Sequence, residues 1–388
     1  MIFVTETTEG GKITYRDTKR YLWLLSLVVT LVPTGWIGVF LITREPLLLL
    51  GPVLTFYALI PLLDLVFGED PYNPPEEVVE ELSAAPYYRV LLFCALPLYF
   101  VNFYTCFWLL GTHDLSVWLS LALVLGAGTV SGAALLVGHE LGHKLNKLDQ
   151  LGAMIANAFS AYGHFRLEHN RGHHTAVATP EDIASARMGE SLYRFMPREQ
   201  WGAVIRGFSI ERDRLAKHGH GFWTWRNELL QGYTLSFVLY GSVIALWGWK
   251  LLPFLMVHLY SSLMQLTMAN YVEHYGLLRQ KKPNGRYEAC RPCHSWNTNH
   301  IVSNLMSFHL QRHSDHHANP LRPYQSLRNF DDIPHLPSGY FGCFVLAAIP
   351  PLWFRVMDKK VMDWADGDIQ RVNRHSEHTR PVTVSSAT

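Results

Sequence analysis

The sequence predicts an all-α membrane protein: six transmembrane helices in three hairpins, with a cytoplasmic helical cap that holds a histidine-rich dimetal site. Three observations predict it. Several runs of about twenty residues carry almost no charge, the length a helix needs to cross the hydrocarbon core. Nine of the 20 histidines fall in three tight groups and at the single His274, at or beyond the ends of those runs. The shortest links between runs hold only Arg44 and Lys250 of the 33 Lys and Arg residues, whereas Lys12, Arg16, Lys19 and Arg20 precede the first run, which by the positive-inside rule places both termini and all long loops in the cytoplasm.

The spans read from these runs are 21–43, 47–68, 87–111, 115–138, 229–249 and 251–276, paired into hairpins through residues 44–46, 112–114 and 250. The organisation expected is a cytoplasmic N-terminal segment at 1–20, the first four spans with the first histidine group at 21–143, a cytoplasmic cap with the second group at 144–228, two further spans at 229–276, a second part of the cap at 277–370 and a disordered tail at 371–388. The run at 21–43 is too long for a signal peptide. In the fourth span Gly128 and Gly132 stand four apart, a spacing that lets helices approach closely and makes this span central. Residues 151–165 read as an interfacial amphipathic helix, and 301–317 as a cytoplasmic helix. The charged stretch 180–228 reads as helices lying on the bundle, with Trp201, Trp223 and Trp225 near the headgroups. Residues 340–357 are apolar but interrupted by Pro350 and Pro351, a segment that dips into the interface or roofs the site.

Five scattered cysteines, Cys94, Cys106, Cys290, Cys293 and Cys343, make no disulfide framework. A formal charge of +1 excludes a case for nucleic acid as partner.

The chemistry lies in the histidines. On a helix, residues four apart share a face, so His139 and His143 can grip one metal, and His169 with His173 another. His174, His274, His313, His316 and His317 complete the nine. One zinc ion takes three or four protein ligands, whereas two metals with four or five ligands each use the nine without remainder. Imidazole suits iron, copper and zinc alike, so spacing does not choose the metal. Glu140, Glu168, Glu273 and Asp315, with Asn270 beside them, are candidates to accept the free ring N–H of a ligand histidine and fix its tautomer. Phe56 and Leu59 on the second span are candidates to line a substrate channel, and Asp64 either braces the site or snorkels to the surface.

The strings HELGHK at 139–144, NYVEHYGLLR at 270–279, EHNRGHH at 168–174 and LQRHSDHH at 310–317, with LIPLLDLVFGEDPYNPPEE at 59–77, resemble the integral-membrane alkane 1-monooxygenases (alkane omega-hydroxylases) of the membrane fatty acid desaturase and hydroxylase superfamily. The likeness runs from the first span to about residue 332, with no departure at the ligand positions. It implies a non-haem diiron enzyme of the bacterial inner membrane. Such an enzyme inserts one atom of dioxygen into the terminal methyl of an n-alkane drawn from the bilayer, with two electrons from rubredoxin and a rubredoxin reductase upstream. The physics agrees. A primary C–H bond resists acid–base attack and calls for an oxidant made from dioxygen at a metal, while the protein holds the methyl end and excludes side reactions.

Other readings compete. His139-Glu140-Leu141-Gly142-His143 matches the H-E-x-x-H of zinc peptidases, an intramembrane metalloprotease that would leave seven histidines without a task. A related diiron fatty-acyl desaturase or alkyl-group hydroxylase shares the ligands and differs in channel and electron supply. A metal transporter would hold its ligands near the bilayer midplane. Cys290-Arg291-Pro292-Cys293-His294 matches the c-type haem pattern, but a cytoplasmic loop is the wrong side for that attachment and no haem is expected. One C-x-x-C cannot supply the four thiolates of a rubredoxin iron, so the electron donor is a separate polypeptide or one once fused beyond the tail. Two basic groups, Arg187, Arg194, Arg198, Arg206, Arg212, Arg214 and Lys217, and Lys281, Lys282, Arg286 and Arg291, suit either an acidic carrier or anionic headgroups.

Overall fold

Residues 12–16, Lys-Ile-Thr-Tyr-Arg, alternate polar and apolar side chains, the period of a half-buried strand, and residues 2–6 open with the β-favouring run Ile-Phe-Val. In the computed structural model, which describes residues 1–6 and 11–375, they pair antiparallel as β1 (Ile2–Glu6) and β2 (Lys12–Arg16), with Thr5 opposite Ile13 and Phe3 opposite Tyr15. The all-α expectation is corrected by this hairpin, since a count of charges along 1–20 hides a two-residue period.

The first expected span is broken into α1 (Leu22–Thr30) and α2 (Val32–Thr43), bent by 61°. Pro33 lacks the N–H that would bond the carbonyl of Val29, and its ring crowds that carbonyl, so Leu31 leaves the helical region at φ −99°, ψ 3°. Among the described residues five helices are long and apolar enough to cross a membrane: α3 (Pro46–Phe67), α4 (Pro86–Thr112), α5 (Val117–Gly142), α9 (Glu228–Trp247) and α10 (Trp249–His274). Between them lie α6 (Lys147–Ala158), α7 (165–176) and α8 (Leu192–Lys217), and after them α11 (Ile301–Met306), α12 (His313–Ala318), α13 (Tyr340–Ala347) and α14 (Pro350–Trp364). The pair α13 and α14 is bent by 119° at Pro350 and Pro351. Counting each bent pair as one span raises the total to seven.

The expected helix over 301–317 is interrupted. Phe308 and His309 sit at φ 50° and 53°, and the His309 ring, Nδ1 3.1 Å from the carbonyl of Tyr324, is buried in the turn. Residues 371–375 pack rather than trail: Val372 bridges Leu277 and Arg374 bridges Met188. The rest of the expected tail, 376–388, lies outside the described residues.

The centre of the bundle is the parallel pair α5 and α10. A Cβ on Gly128 would lie 2.6 Å from the carbonyl oxygen of His258, and one on Gly132 2.6 Å from that of Ser262, so only glycine permits this approach. Because the two helices run in the same direction at this spacing, His139 near the end of α5 and Glu273 and His274 at the end of α10 emerge side by side. Asp64, far from snorkelling, is 1 % exposed and accepts the backbone N–H of Ser303 at 2.9 Å, tying α3 to α11. Trp201, Trp223 and Trp225 are 69 %, 85 % and 79 % exposed on and after α8.

Candidate metal centre

The nine histidines meet at one end of the bundle in two groups. His139, His143, His169, His174 and His316 form one; His173, His274, His313 and His317 form the other. Within each group one ring nitrogen per residue lies within 4.8 Å of all the rest. The Nε2 atoms of His139 and His316 are 2.9 Å apart, those of His316 and His174 3.1 Å, and those of His317 and His313 2.9 Å. Nitrogens on a shell about 2.0–2.1 Å from a common ion sit about this far from one another. The Nε2 atoms of His143 and His173 are buried without any protein partner, as expected of lone pairs aimed at a metal. The donor set therefore fits two metal ions, one with five and one with four imidazoles.

The pairing of His169 with His173 on one metal is corrected. Residues 169–173 form a π-turn, bonded i to i+5 rather than i to i+4. His169 and His174 thus face the first group and His173 turns to the second. The grips of His139 with His143 and of His313 with His317 follow ordinary helical spacing, and α12 gives His316 to the first group.

Of the carboxylates expected to accept a ring N–H, most do other work. Glu168 accepts two N–H groups of Arg206, Asp315 accepts from Arg322, Asn319 and the backbone of Arg328, and Glu140 accepts the backbone N–H of Tyr324 at 3.2 Å. The other oxygen of Glu140 lies 4.0 Å from Nδ1 of His139. Glu273 accepts the Tyr340 hydroxyl at 2.6 Å, and its other oxygen lies 3.2 Å from Nε2 of His313, on the metal side of that ring. Asn270 donates to Glu199 at 3.1 Å.

The orienting carboxylate is one that sequence reading missed. Asp182, 1 % exposed, lies 2.9 Å from Nδ1 of His173 and also accepts from Ser185 at 2.7 Å and Arg206 at 3.1 Å. A proton held on Nδ1 leaves Nε2 free to bind metal. Asp182 stands nine residues beyond His173 in an irregular loop, where no periodicity marks it. Arg312, fully buried beside His313, was also missed. It bonds Asp70 at 3.0 Å, and Asp70 pairs in turn with Lys19, which anchors the N-terminal segment beside the histidines of 313–317.

Burial, reinforced by neighbouring rings, holds His169, His174, His313, His316 and His317 well below the ordinary imidazole value, so they remain neutral near pH 7, the form that can bind a metal. Burial also lowers His173, but the Asp182 carboxylate outweighs it and the net shift is upward. Burial pushes Glu199 up to about 7.

Below the histidines an apolar cavity follows the seam between α5 and α10. Leu136, Leu266, Ala269, Phe341 and Phe344 line its walls, and His139, His169, His313 and Glu273 its metal end. At the other end Thr129 and Gln265 line it, and the Tyr57 hydroxyl is bonded to Gln265 at 3.1 Å. Ten residues of α5 separate Thr129 from His139, about 15 Å of helix. The two expected channel residues are not among its lining: Phe56 is buried behind it with its ring 5.5 Å from that of Phe341, and Leu59 is 46 % exposed on the outer face of α3. A one-position count along α3 cannot tell the inner from the outer face where residues 55–59 form a π-turn.

The family model for fatty acid desaturases matches residues 116–353. The alkane 1-monooxygenase of Ectopseudomonas oleovorans is 51 % identical over 370 residues, 92 % of this chain and 89 % of that one. Alkane 1-monooxygenase 1 of Alcanivorax borkumensis is 48 % identical over 361 residues, with the same coverage of 92 % and 89 %. The hydroxylase component of a xylene/toluene monooxygenase from Pseudomonas putida is 29 % identical over 247 residues, 63 % of this chain and 64 % of that one. Identity of this extent over nearly the whole length, on a helical scaffold that gathers nine histidines, means that the chain belongs to the alkane 1-monooxygenase family, within the wider fatty acid desaturase family.

Proposed function

We propose that this chain hydroxylates the terminal methyl group of n-alkanes, consuming dioxygen, two electrons and two protons and yielding a 1-alkanol and water. The observation that carries the reading is the apolar cavity that begins among membrane helices and ends on both histidine groups. Two non-haem irons would be held there, one by His139, His143, His169, His174 and His316, the other by His173, His274, His313 and His317. Bound iron supplies dioxygen activation and the oxidising power to break a strong C–H bond.

The rest is the work of the chain. An unbranched alkane has no polar handle, so shape alone orients it, and a narrow apolar tube presents a chain end rather than its middle. Buried walls of leucine, alanine and phenylalanine exclude water from the reacting end. Tyr340 holds its proton on Glu273 and thereby fixes that carboxylate at the edge of the cavity. Asp182 fixes the proton of His173 on Nδ1. Reduced rubredoxin delivers the electrons, and the histidine end of the bundle, with both termini, faces the cytoplasm of a bacterial inner membrane.

The test is to incubate iron-loaded protein in lipid with a reductant chain, dioxygen and an n-alkane, and identify products by mass. A terminal alcohol is expected. A double bond in an acyl substrate would move the reading to a desaturase, oxidation only of methyl groups on aromatic rings to an aryl-alkyl hydroxylase, and peptide cleavage with one zinc per chain to a metalloprotease.

A further inference from the structure

After α10 the chain runs outward, turns at Gly285 and returns beside itself. Lys281 bridges Tyr287, and the N–H of Lys282 donates to the carbonyl of Arg286 at 2.8 Å. The returning strand is then fastened to the end of α10. The Trp296 N–H donates to the carbonyl of Glu273 and its indole N–H to that of Tyr275, both at 2.8 Å. The ring of His274 bonds the backbone carbonyl of His294, and Ser295 Oγ lies 3.5 Å from Nδ1 of the same ring. From exposed Arg291 the path to a histidine of the second group is therefore three peptide units and one hydrogen bond. Nε2 of that histidine, His274, lies 3.3 Å from Nε2 of His313.

Charge is less neutralised on this strip than on the other basic group. On and before α8, Arg198 pairs with Glu190, Arg206 with Glu168 and Asp182, Arg212 with Asp213, and Arg214 with Glu211, which leaves Lys217 exposed without such a pair among the described residues. On the loop, among the described residues, no carboxylate comes within 4 Å of Lys281, Lys282 or Arg286, although all three are exposed. Lys281 rests over the Tyr287 ring instead, 5.0 Å from its centroid. The acidic groups of this face are Glu288, paired with Arg291 at 2.7 Å, Glu181 at the Tyr287 hydroxyl, and Asp332 near Cys293. Unpaired charge steers a partner of opposite sign over a Debye length, whereas a neutralised pair does not.

We propose that Lys281, Lys282 and Arg286 dock a small acidic one-electron carrier, and that its electron passes along Cys293 and His294 to the His274 ring. The assignment rests on the proposed oxygenase reading, which needs two electrons per turnover. Each docking oxidises the carrier by one electron and reduces the metal site by one, so two dockings serve each alkanol formed. An anionic lipid surface would meet the same charge, but a lipid has no use for a covalent path ending on a metal-group histidine.

The test measures binding without turnover. Full-length, iron-loaded protein in nanodiscs of neutral lipid is titrated with zinc-substituted, redox-inert rubredoxin. The variant Lys281→Glu/Lys282→Glu/Arg286→Glu, shown to be folded by its bound iron, is expected to raise Kd at least about tenfold, and salt between about 50 and 300 mM to do likewise for the wild type. Arg212→Glu, at a cation already paired with Asp213, is expected to stay within about twofold. An unchanged Kd in the triple variant, or a loss confined to the Arg212 variant, overturns the proposal. So does a triple variant that binds rubredoxin normally and loses only its affinity for anionic vesicles. Wild-type protein that makes 1-alkanol with a chemical reductant but binds no rubredoxin removes the docking site and leaves the oxygenase standing; charge-dependent binding without any alkanol does the reverse.

Discussion

Replacing Asp182 by asparagine isolates one bond in the metal centre. The amide keeps the shape of the carboxylate but one of its two heads is now a donor. Asp182 currently accepts from His173, Ser185 and Arg206. An asparagine can keep its carbonyl toward Arg206 only by turning its NH2 toward Nδ1 of His173, which forces the ring proton onto Nε2, the atom aimed at the metal. Loss of such an orienting partner typically costs about 10–100-fold in metal affinity, or about 1.4–2.7 kcal/mol. The loss falls on the group of His173, His274, His313 and His317, because Asp182 touches no ligand of the other. Purified Asp182→Asn protein equilibrated with graded iron and a competing chelator, then measured by elemental analysis, is expected to show one site of near-wild-type affinity and one weakened by that factor. Glu168→Gln, which removes an acceptor from Arg206 but touches no ligand ring, serves as the control for electrostatics alone. Two wild-type sites in Asp182→Asn, or an equal loss at both, would refute the reasoning.

Three further outcomes follow from the packing. Gly132→Val puts side-chain carbon against the Ser262 carbonyl, which a backbone cannot withdraw; a cost of about 1–3 kcal/mol should lower Tm, and because α5 and α10 separate, bound iron should fall with it. Ala133 on α5 also lines the cavity, and Ala133→Leu, which would fill that wall, should shift the preferred alkane to shorter chains by product mass analysis, while Leu59→Ala on the exposed face of α3 should leave the distribution alone; the opposite pattern would return the channel to α3. Glu199 is raised from 4.5 to about 7 by burial, so the folded state holds a proton that the unfolded state releases between those values. Its cost is absent below about pH 4.5 and complete above about pH 7, where it reaches at most about 3 kcal/mol. Glu199→Gln should therefore raise Tm relative to wild type at pH 8 and not at pH 4.5, and an equal change at both would exclude the titration.

Legibility from sequence divided along physical lines. The nine histidines could be picked out because local helical spacing groups them, as His139 with His143 and His313 with His317 show, and because so many imidazoles have few other uses. Gly128 and Gly132 could be read as a helix contact for a similar reason: a four-residue spacing puts both on one face. Regular structure repeats, so a pattern in the chain maps onto a face in space. Where the chain departs from regularity that mapping fails. The π-turn at 169–173 moves His173 to the other histidine group, the π-turn at 55–59 blurs which residues of α3 face inward, and the left-handed pair Phe308 and His309 breaks a helix that periodicity would continue. Asp182 and Arg312 illustrate a second limit. Each acts on a group through a loop or a buried ion pair, and hydrogen bonds between distant segments leave no periodic trace.

By itself, then, the sequence determined the class of protein, the family resemblance and the set of nine grouped histidines, because hydrocarbon thickness and helical pitch act over neighbouring residues. Only the tertiary structure divided the nine histidines into five and four, put Asp182 rather than the expected carboxylates on a ring nitrogen of His173, placed the apolar cavity along the seam of α5 and α10 rather than along α3, and set the unpaired lysines of 281–282 above His274. Those decisions depend on which side chains meet across the fold, and that is settled by packing rather than by order along the chain.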